Sequence, residues 1–329
     1  MQPWVCQRPR SGVYTFSMPA SAAPRPVILD GDPGHDDAIN ILLAHAAPEL
    51  EVLGVSTTYG NVGLERTTRN ALVTLELIGS STPVYPGADR PLLVPRLSAE
   101  SVHGQTGLDG PLLPAPSRAA EHLHAALFMV QAIRERPHQV TLLPTGPLTN
   151  VALALRLAPD IAPLIREIVW MGGSLDVGNW TPAAEFNALC DPHAAAIVFG
   201  SGVRVTMFGL NATHQAIATP ERIAPFRALG RTGEVVAGLL EFFAEHHRER
   251  YGWNGGPLHD PLTSAYLIAP QLFEVQPMYV TVDTTDGPSA GRTNCDQWHV
   301  TGQQPNANVA MTVDADGFYA LLTERMAQL

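Results

Sequence analysis

The stretch V-I-L-D-G-D-P-G-H-D-D-A, residues 27 to 38, changes character twice. Val27, Ile28 and Leu29 form an apolar run of the kind that fills a buried strand. Pro33-Gly34 turns the chain, and Asp36-Asp37 open an apolar segment with helical spacing. Asp30, Asp32, Asp36 and Asp37 are thereby crowded around one strand–turn–helix junction. Capping of a helix N-terminus accounts for one or two carboxylates, but not for four. Like charges this close raise one another's pKa and cost free energy unless a positive charge sits among them.

The same alternation continues outward from this junction. Apolar β-branched runs at 27–29, 52–57, 140–143, 168–171 and 203–208 read as strands. Segments 37–47, 64–78, 119–134, 149–157 and 192–199 read as helices between them. Continuous apolar strands joined by helices predict an α/β fold with an open, mostly parallel sheet flanked by helices. In such sheets ligands bind outside the carboxyl ends of the strands, so the functional residues are expected there. After residue 215 the pattern is mostly helical, with late strands at 278–283 and 309–313 before a C-terminal helix. No repeat or linker divides the chain, and residues 26–329 read as a single domain. Residues 1–25 read as a flexible N-terminal extension. Gly12, Thr15, Ser17 and Pro19 interrupt any signal-peptide core there, and a chain beginning at Met18 is expected to fold and act like the full chain.

Composition removes several classes of chemistry. The 329 residues carry a formal net charge of -11, which argues against nucleic acid or an anionic membrane as partner and favours a small molecule. All 20 basic residues are Arg and none is Lys. That excludes a P-loop lysine, a Schiff-base lysine and a lysine general base. It also excludes phosphotransferases of the haloacid dehalogenase type, which share a D-x-D after the first strand but need a lysine. Cys6, Cys190 and Cys295 lack disulfide or zinc spacing and fit a reducing cytoplasm. No apolar run is long enough to span a membrane.

Oxygen-rich clusters without Cys or His suit hard cations, Ca²⁺ or Mg²⁺. Other strand ends must supply the remaining ligands. L-L-P-T-G-P-L-T-N (142–150) offers the Thr145 carbonyl, and L-H-D-P (258–261) offers Asp260. T-T-Y-G-N (57–61) sets Asn61 just past the second strand, and V-W-M-G-G (169–173) gives a glycine-rich strand exit. A-E-F-N (184–187) sets Glu185 and Asn187 on one face of an extended segment.

Taken together, D-G-D-P-G-H-D-D-A, G-N at 60–61, H-G-x-x-G at 103–107, P-T-G-x-L-T-N at 144–150, M-G-G at 171–173, A-E-F-N at 184–187 and H-D-P at 259–261 resemble the inosine–uridine-preferring nucleoside hydrolases, over residues 26 to 327. The resemblance implies a Rossmann-like nucleoside hydrolase fold and hydrolysis of the N-glycosidic bond of purine or pyrimidine ribonucleosides. It also implies one Ca²⁺ per subunit, a homodimer or homotetramer, and a cytoplasmic role in nucleoside salvage. Its implied Ca²⁺ ligands are Asp32, Asp37, Asp260 and the Thr145 carbonyl, with the ribose 2′- and 3′-hydroxyls. Asp32 is the implied general base for a metal-bound water, and His259 the group that assists the leaving base. Asp36, Asn61, Glu185, Asn187, Asp260 and the Met171 backbone would hold the ribose. His103, Asn179, His247 and Trp253 are the candidates for the base.

Some positions depart from the pattern or read blandly. Gly31 stands where family members carry Thr or Cys, and a smaller residue is expected to be tolerated. His35 reads as surface or rim. His246 and His247 read as decorating a solvent-facing helix, with His247 the weaker candidate for the base. R-Y-G-W-N-G-G-P-L (250–258) reads as a mobile glycine-rich flap. The alternative function is a Ca²⁺-dependent nucleoside-binding protein without turnover; retention of every acid–base position argues against it.

Overall fold

The structure, a computed structural model, describes residues 23–329. Most of the expected N-terminal extension, with Cys6 and Met18, lies outside the described residues. The strands in chain order are β1 (Arg25–Gly31), β2 (Leu50–Thr57), β3 (Val84–Pro86), β4 (Thr141–Pro144), β5 (Glu167–Met171), β6 (Val205–Phe208), β7 (Ile217–Ala218), β8 (Gly256–Pro257), β9 (Phe273–Met278), β10 (Val280–Val282), β11 (Thr293–Cys295) and β12 (Ala307–Val313). Eight of them form one sheet in the order β3-β2-β1-β4-β5-β6-β12-β9. Every neighbouring pair in it is parallel except β12 with β9. The expected open, mostly parallel sheet is therefore what the chain forms.

The helices are α1 (His35–His45), α2 (Leu64–Leu77), α3 (Glu100–His103), α4 (Ala125–Glu135), α5 (Thr149–Leu157), α6 (Phe186–Cys190), α7 (Pro192–Phe199), α8 (Leu210–Thr213), α9 (Pro220–Ile223), α10 (Gly230–Tyr251), α11 (Pro261–Ile268) and α12 (Ala315–Met326). They cover both faces of the sheet. Strand alternation sorts the core. Ile28 packs with Leu142, Met129, Ile133 and Val151 on the α4–α5 side. Val27 and Leu29 pack with Leu143, Ile41 and Ala44 on the α1 side. The register pairs Ile28 with Leu142 and Leu29 with Leu143, so each face receives matched apolar rows.

Strand order runs outward from β1 through β2 to β3, then restarts on the other side at β4. Between the carboxyl ends of β1 and β4 the two following connections diverge, leaving a crevice. Asp32 follows β1 and Thr145 follows β4, so both stand at its rim.

Several boundaries differ from expectation. The helix expected from residue 119 begins at Ala125, where His124 Nδ1 caps it by accepting from the Ala126 amide at 3.1 Å. The expected strand 278–283 is two elements. β9 ends at Met278 on the sheet edge, and β10 pairs with β11 in a separate antiparallel ribbon. The short edge strand β3 was not anticipated, because three residues are too few to show a period.

Candidate active site

Asp32 leaves β1 into the Pro33-Gly34 turn and is 1% exposed. Its Oδ2 accepts the Asn61 backbone N–H at 2.6 Å, while its buried Oδ1 has no partner. Asn61 also donates from Nδ2 to the Asp32 carbonyl at 3.1 Å and to Asp37 Oδ2 at 3.2 Å. Asp37 opens α1 and accepts the Gly34 N–H at 3.1 Å, which explains locally why the helix starts here. Its other oxygen accepts from the Thr145 hydroxyl at 2.7 Å. A side chain at Gly31 would enter the space that the Asp37 and Thr145 side chains occupy.

Asp36, Asp37 and Asp260 each bring a carboxylate oxygen to within 4.8 Å of the others. Asp260 arrives from far along the chain, at the start of α11 where Pro261 fixes the first turn. None of the ion pairs among the described residues involves these carboxylates or Asp32. Burial first, and then mutual repulsion, raises Asp36 to about 7 and pushes Asp32 and Asp260 well above the usual carboxylate range. Burial raises Asp37 as well, opposed by its hydrogen bond from Thr145. An uncompensated, oxygen-only cluster with an orphaned Asp32 oxygen is the donor set that a hard cation satisfies.

The far side of the crevice is built by β5 and α6. Glu185 caps α6 by accepting from the Asn187 and Ala188 amides at 2.8 and 3.0 Å, and it accepts the Gly173 N–H at 2.8 Å. Asn187 Nδ2 donates to the Thr145 carbonyl at 2.9 Å and to the Met171 carbonyl at 3.1 Å, tying the ends of β4 and β5 together. The Thr145 carbonyl keeps a second lone pair. Burial raises Glu185 to about 7. Asn179 accepts the Phe186 N–H at 3.0 Å and faces the same space.

These residues line a cavity of about 330 Å³, within the range of small-molecule sites. Asp36, Asn61, Thr145, Met171, Glu185, Asn187 and Asp260 are among its polar lining. His103, His214, Phe243, His247, Trp253 and His259 contribute rings to it. Asp32 and Asp37 are buried next to this lining, bonded to Asn61 and Thr145. His259 Nδ1 is 2.7 Å from Thr213 Oγ1, and burial holds its pKa well below the ordinary histidine value. Phe243 stands among the rings of His103, His247 and His259, at centroid distances of 5.4, 4.5 and 6.3 Å.

Two readings of histidines are corrected. His35 is not at the surface or rim: it is 1% exposed, stacked on Phe242 with centroids 5.0 Å apart and bonded to His103. His247 does not face solvent either; it is buried one helical turn after Phe243, and with His246 it lines the cavity. The 250–258 segment lies along the same wall, and its end is fixed as β8, which pairs with β7. Thr213, His214, Phe243 and Trp180 were missed as site residues. Thr213 and His214 follow the carboxyl end of β6, so the strand-end rule applied to that strand would have found them.

The family described as inosine-uridine preferring nucleoside hydrolase matches residues 27–320. The pyrimidine-specific ribonucleoside hydrolase RihA of Citrobacter koseri is 47% identical over 92% of this chain and 98% of its own. The pyrimidine-specific RihB of Escherichia coli is 43% identical over 91% and 96%. Among solved structures, a purine-preferring ribonucleoside hydrolase from Gardnerella vaginalis superposes with a TM-score of 0.86 at 33% identity, covering 92% of this chain and 99% of that one. A plant nucleoside hydrolase, PpNRh1, superposes at 0.84 with 35% identity over 92% and 99%.

Proposed function

The chain belongs to the inosine-uridine preferring nucleoside hydrolases, which are ribonucleoside N-glycosidases, and from that premise we propose that it acts on pyrimidine ribonucleosides with Asp32 as general base and His259 at the leaving group. The observation that carries the assignment of roles is the lining of one cavity: the carboxylates of Asp36 and Asp260 and a cluster of rings from His103, Phe243, His247 and His259 face the same space. Ribose belongs against the carboxylates and the base against the rings. The pyrimidine preference rests on the two relatives of highest identity described above.

In the reaction a water oxygen bonds to C1′ as the C1′–N bond breaks, and its electron pair leaves with the base. Asp32 takes the proton from the water. Positive charge develops on the ribose ring, and the buried carboxylates of Asp36, Glu185 and Asp260 favour it electrostatically. His259 stays neutral in its buried setting. Nδ1 of His259 pairs with the Thr213 hydroxyl, and in the tautomer in which that hydroxyl donates the ring proton sits on Nε2, which can donate to the departing base. Asn187 and Asn61 orient ribose hydroxyls, while the Met171 carbonyl contacts the sugar. This differs from the usual pair of carboxylates flanking a glycosidic bond.

Asp32, Asp37, Asp260 and the Thr145 carbonyl would hold one Ca²⁺ per subunit, and the oxygen-only donor set supports that choice. When bound, the ion supplies positive charge that acidifies water and ribose hydroxyls and relieves the repulsion within the cluster. The reading also proposes a cytoplasmic salvage enzyme assembled as a homodimer or homotetramer. Among the described residues no helix is long and apolar enough to cross a membrane.

The test is release of reducing sugar from uridine, cytidine, inosine and adenosine. Uridine and cytidine are expected to be cleaved fastest. Faster inosine cleavage would overturn the base preference, and saturable nucleoside binding without sugar release would make the protein a binder instead.

A further inference from the structure

His35 is buried beneath the cavity wall, one residue before the acidic pair of α1, and none of the chemistry above uses it. Its Nε2 lies 2.8 Å from the Asp109 carbonyl oxygen, and its Nδ1 lies 3.2 Å from Nδ1 of His103. A carbonyl only accepts, so Nε2 of His35 carries a hydrogen. Neither ring has a carboxylate as hydrogen-bond partner, and a neutral imidazole has one N–H, so Nδ1 of His35 is a bare acceptor. Two bare nitrogens at 3.2 Å would set lone pair against lone pair. The hydrogen between them therefore belongs to Nδ1 of His103. The His35 backbone N–H approaches that same nitrogen only at 3.4 Å, a marginal distance. Nε2 of His103 is then bare, has no partner among the described residues, and belongs to a side chain that lines the cavity.

We propose that His35 is a positioning residue that fixes the His103 proton on Nδ1, so that His103 presents Nε2 to the cavity as an acceptor for an N–H of the nucleobase. The inference rests on the nucleoside-hydrolysing reading of the cavity and extends it to the chemistry of the base. Uracil and cytosine both offer such a donor, a ring N–H in one and an amino group in the other. An acceptor cannot protonate the departing base, so His103 selects and holds the base while its proton comes from another group, in keeping with His259.

The surroundings keep this arrangement fixed. The His35 ring stacks on Phe242 with an interplanar angle of 7°. The turn that carries the Asp109 carbonyl is tied by the Asp109 carboxylate, which accepts the Gln105 and Thr106 amides at 2.9 and 3.2 Å. Gly34 gives His103 its room, because a Cβ there would lie 2.6 Å from His103 Nδ1.

The experiment is long-range ¹H–¹⁵N correlation on the full chain labelled with ¹⁵N-histidine, in which bare and protonated ring nitrogens resonate in separate ranges. The His103 signals are identified by their loss in His103→Gln. Wild type is expected to show His103 with Nδ1 protonated and Nε2 bare. His35→Leu should lose that preference, and His35→Asn, whose amide oxygen can stand where Nδ1 stands, should keep it. An Nε2-protonated His103 in wild type, or an unchanged tautomer in His35→Leu, overturns the proposal. Kinetics supply the second arm. His35→Leu should raise KM for uridine by about tenfold, roughly the worth of one hydrogen bond, and leave p-nitrophenyl riboside, whose leaving group has no N–H, nearly untouched. His35→Asn should recover most of the uridine loss. Equal losses on both substrates, with Asn no better than Leu, would reduce His35 to packing. If wild type released ribose from no nucleoside, the functional reading would fall, while the tautomer result would stand or fall separately.

Discussion

Asp32 has one oxygen engaged by the Asn61 amide and one oxygen buried without a partner. Asp32→Asn preserves shape and the amide contact but removes the base and a charge from the cluster. Turnover of uridine is expected to fall by at least about 10³ with the melting temperature held or raised; a loss under tenfold would place the base elsewhere. In the proposed mechanism His259 serves the natural base, which leaves poorly as an anion. His259→Ala is expected to slow uridine by about 10²–10⁴, the range of a general acid, and to spare p-nitrophenyl riboside, which needs no proton. Similar losses on both substrates would assign His259 to the sugar. The ribose end should be equally particular. If Asp36 and Asn187 pair the ribose hydroxyls as proposed, a missing hydroxyl leaves polar groups stranded, so 2′-deoxyuridine should be disfavoured by roughly 10⁴. Rapid deoxyuridine cleavage, measured by the same sugar assay, would contradict that pairing.

At the scale of elements, the sequence showed the part of the molecule in which each strand is a continuous apolar run with a polar residue directly after it. Asp32 and Thr145 were legible for that reason and Asn61 a few residues beyond such a run, since a parallel sheet gathers its carboxyl ends, whereas Met171 was marked only by the family resemblance. The edge strand β9 was harder. F-E-V-Q-P-M buries only its two end residues and carries Pro277 at the sheet's margin, a pattern that reads as loop unless an antiparallel edge is already in mind. His35 was misread because D-P-G-H-D-D is polar throughout, and only the fold reveals that Phe242 and Asp109 close over it. The inward turn of His247 did have a signal: Leu239, Leu240, Phe243 and His247 follow the spacing of a single helical face. The glycine-rich segment before His259 gives a test at this scale. Gly255 has a φ of +154°, and a Cβ there would run into the Ala218 carbonyl, part of the β7–β8 pairing that leads the chain to His259. Gly255→Ala is therefore expected to act as a weak copy of the His259 variant, slowing uridine by about tenfold while sparing p-nitrophenyl riboside. An unchanged uridine rate would show that β8 does not set the position of His259.

Across the whole molecule, the buried acidic cluster and the buried histidines pull the pH dependence of stability in opposite directions. Asp36 and Glu185, raised to about 7 mainly by burial, bind protons in the folded chain that the unfolded chain has already released. Asp32 and Asp260 are raised further in the same direction. Such groups contribute stability below their unfolded values near 4, and it is lost as pH rises through the folded values. His35 and His247 are lowered to about 4 by burial, and His103 and His259 are also lowered, so these rings favour the fold progressively as pH rises from about 4 to 6.5. Below about pH 6.5 the two effects offset each other; above it the histidines are neutral in both states and only the carboxylates still titrate. Chelator-treated protein should therefore melt at progressively lower temperature between about pH 6.5 and 8. Added Ca²⁺ should remove that fall, because a cation that binds only the ionised, folded cluster stabilises most where the cluster is fully ionised. Melting curves at several pH values, each with chelator and with excess Ca²⁺, decide the matter. A metal-free midpoint that stays level or climbs across this window, together with no upward shift on adding Ca²⁺, would mean that Asp32, Asp36, Asp37 and Asp260 are not the unpaired charges from which the metal site is argued.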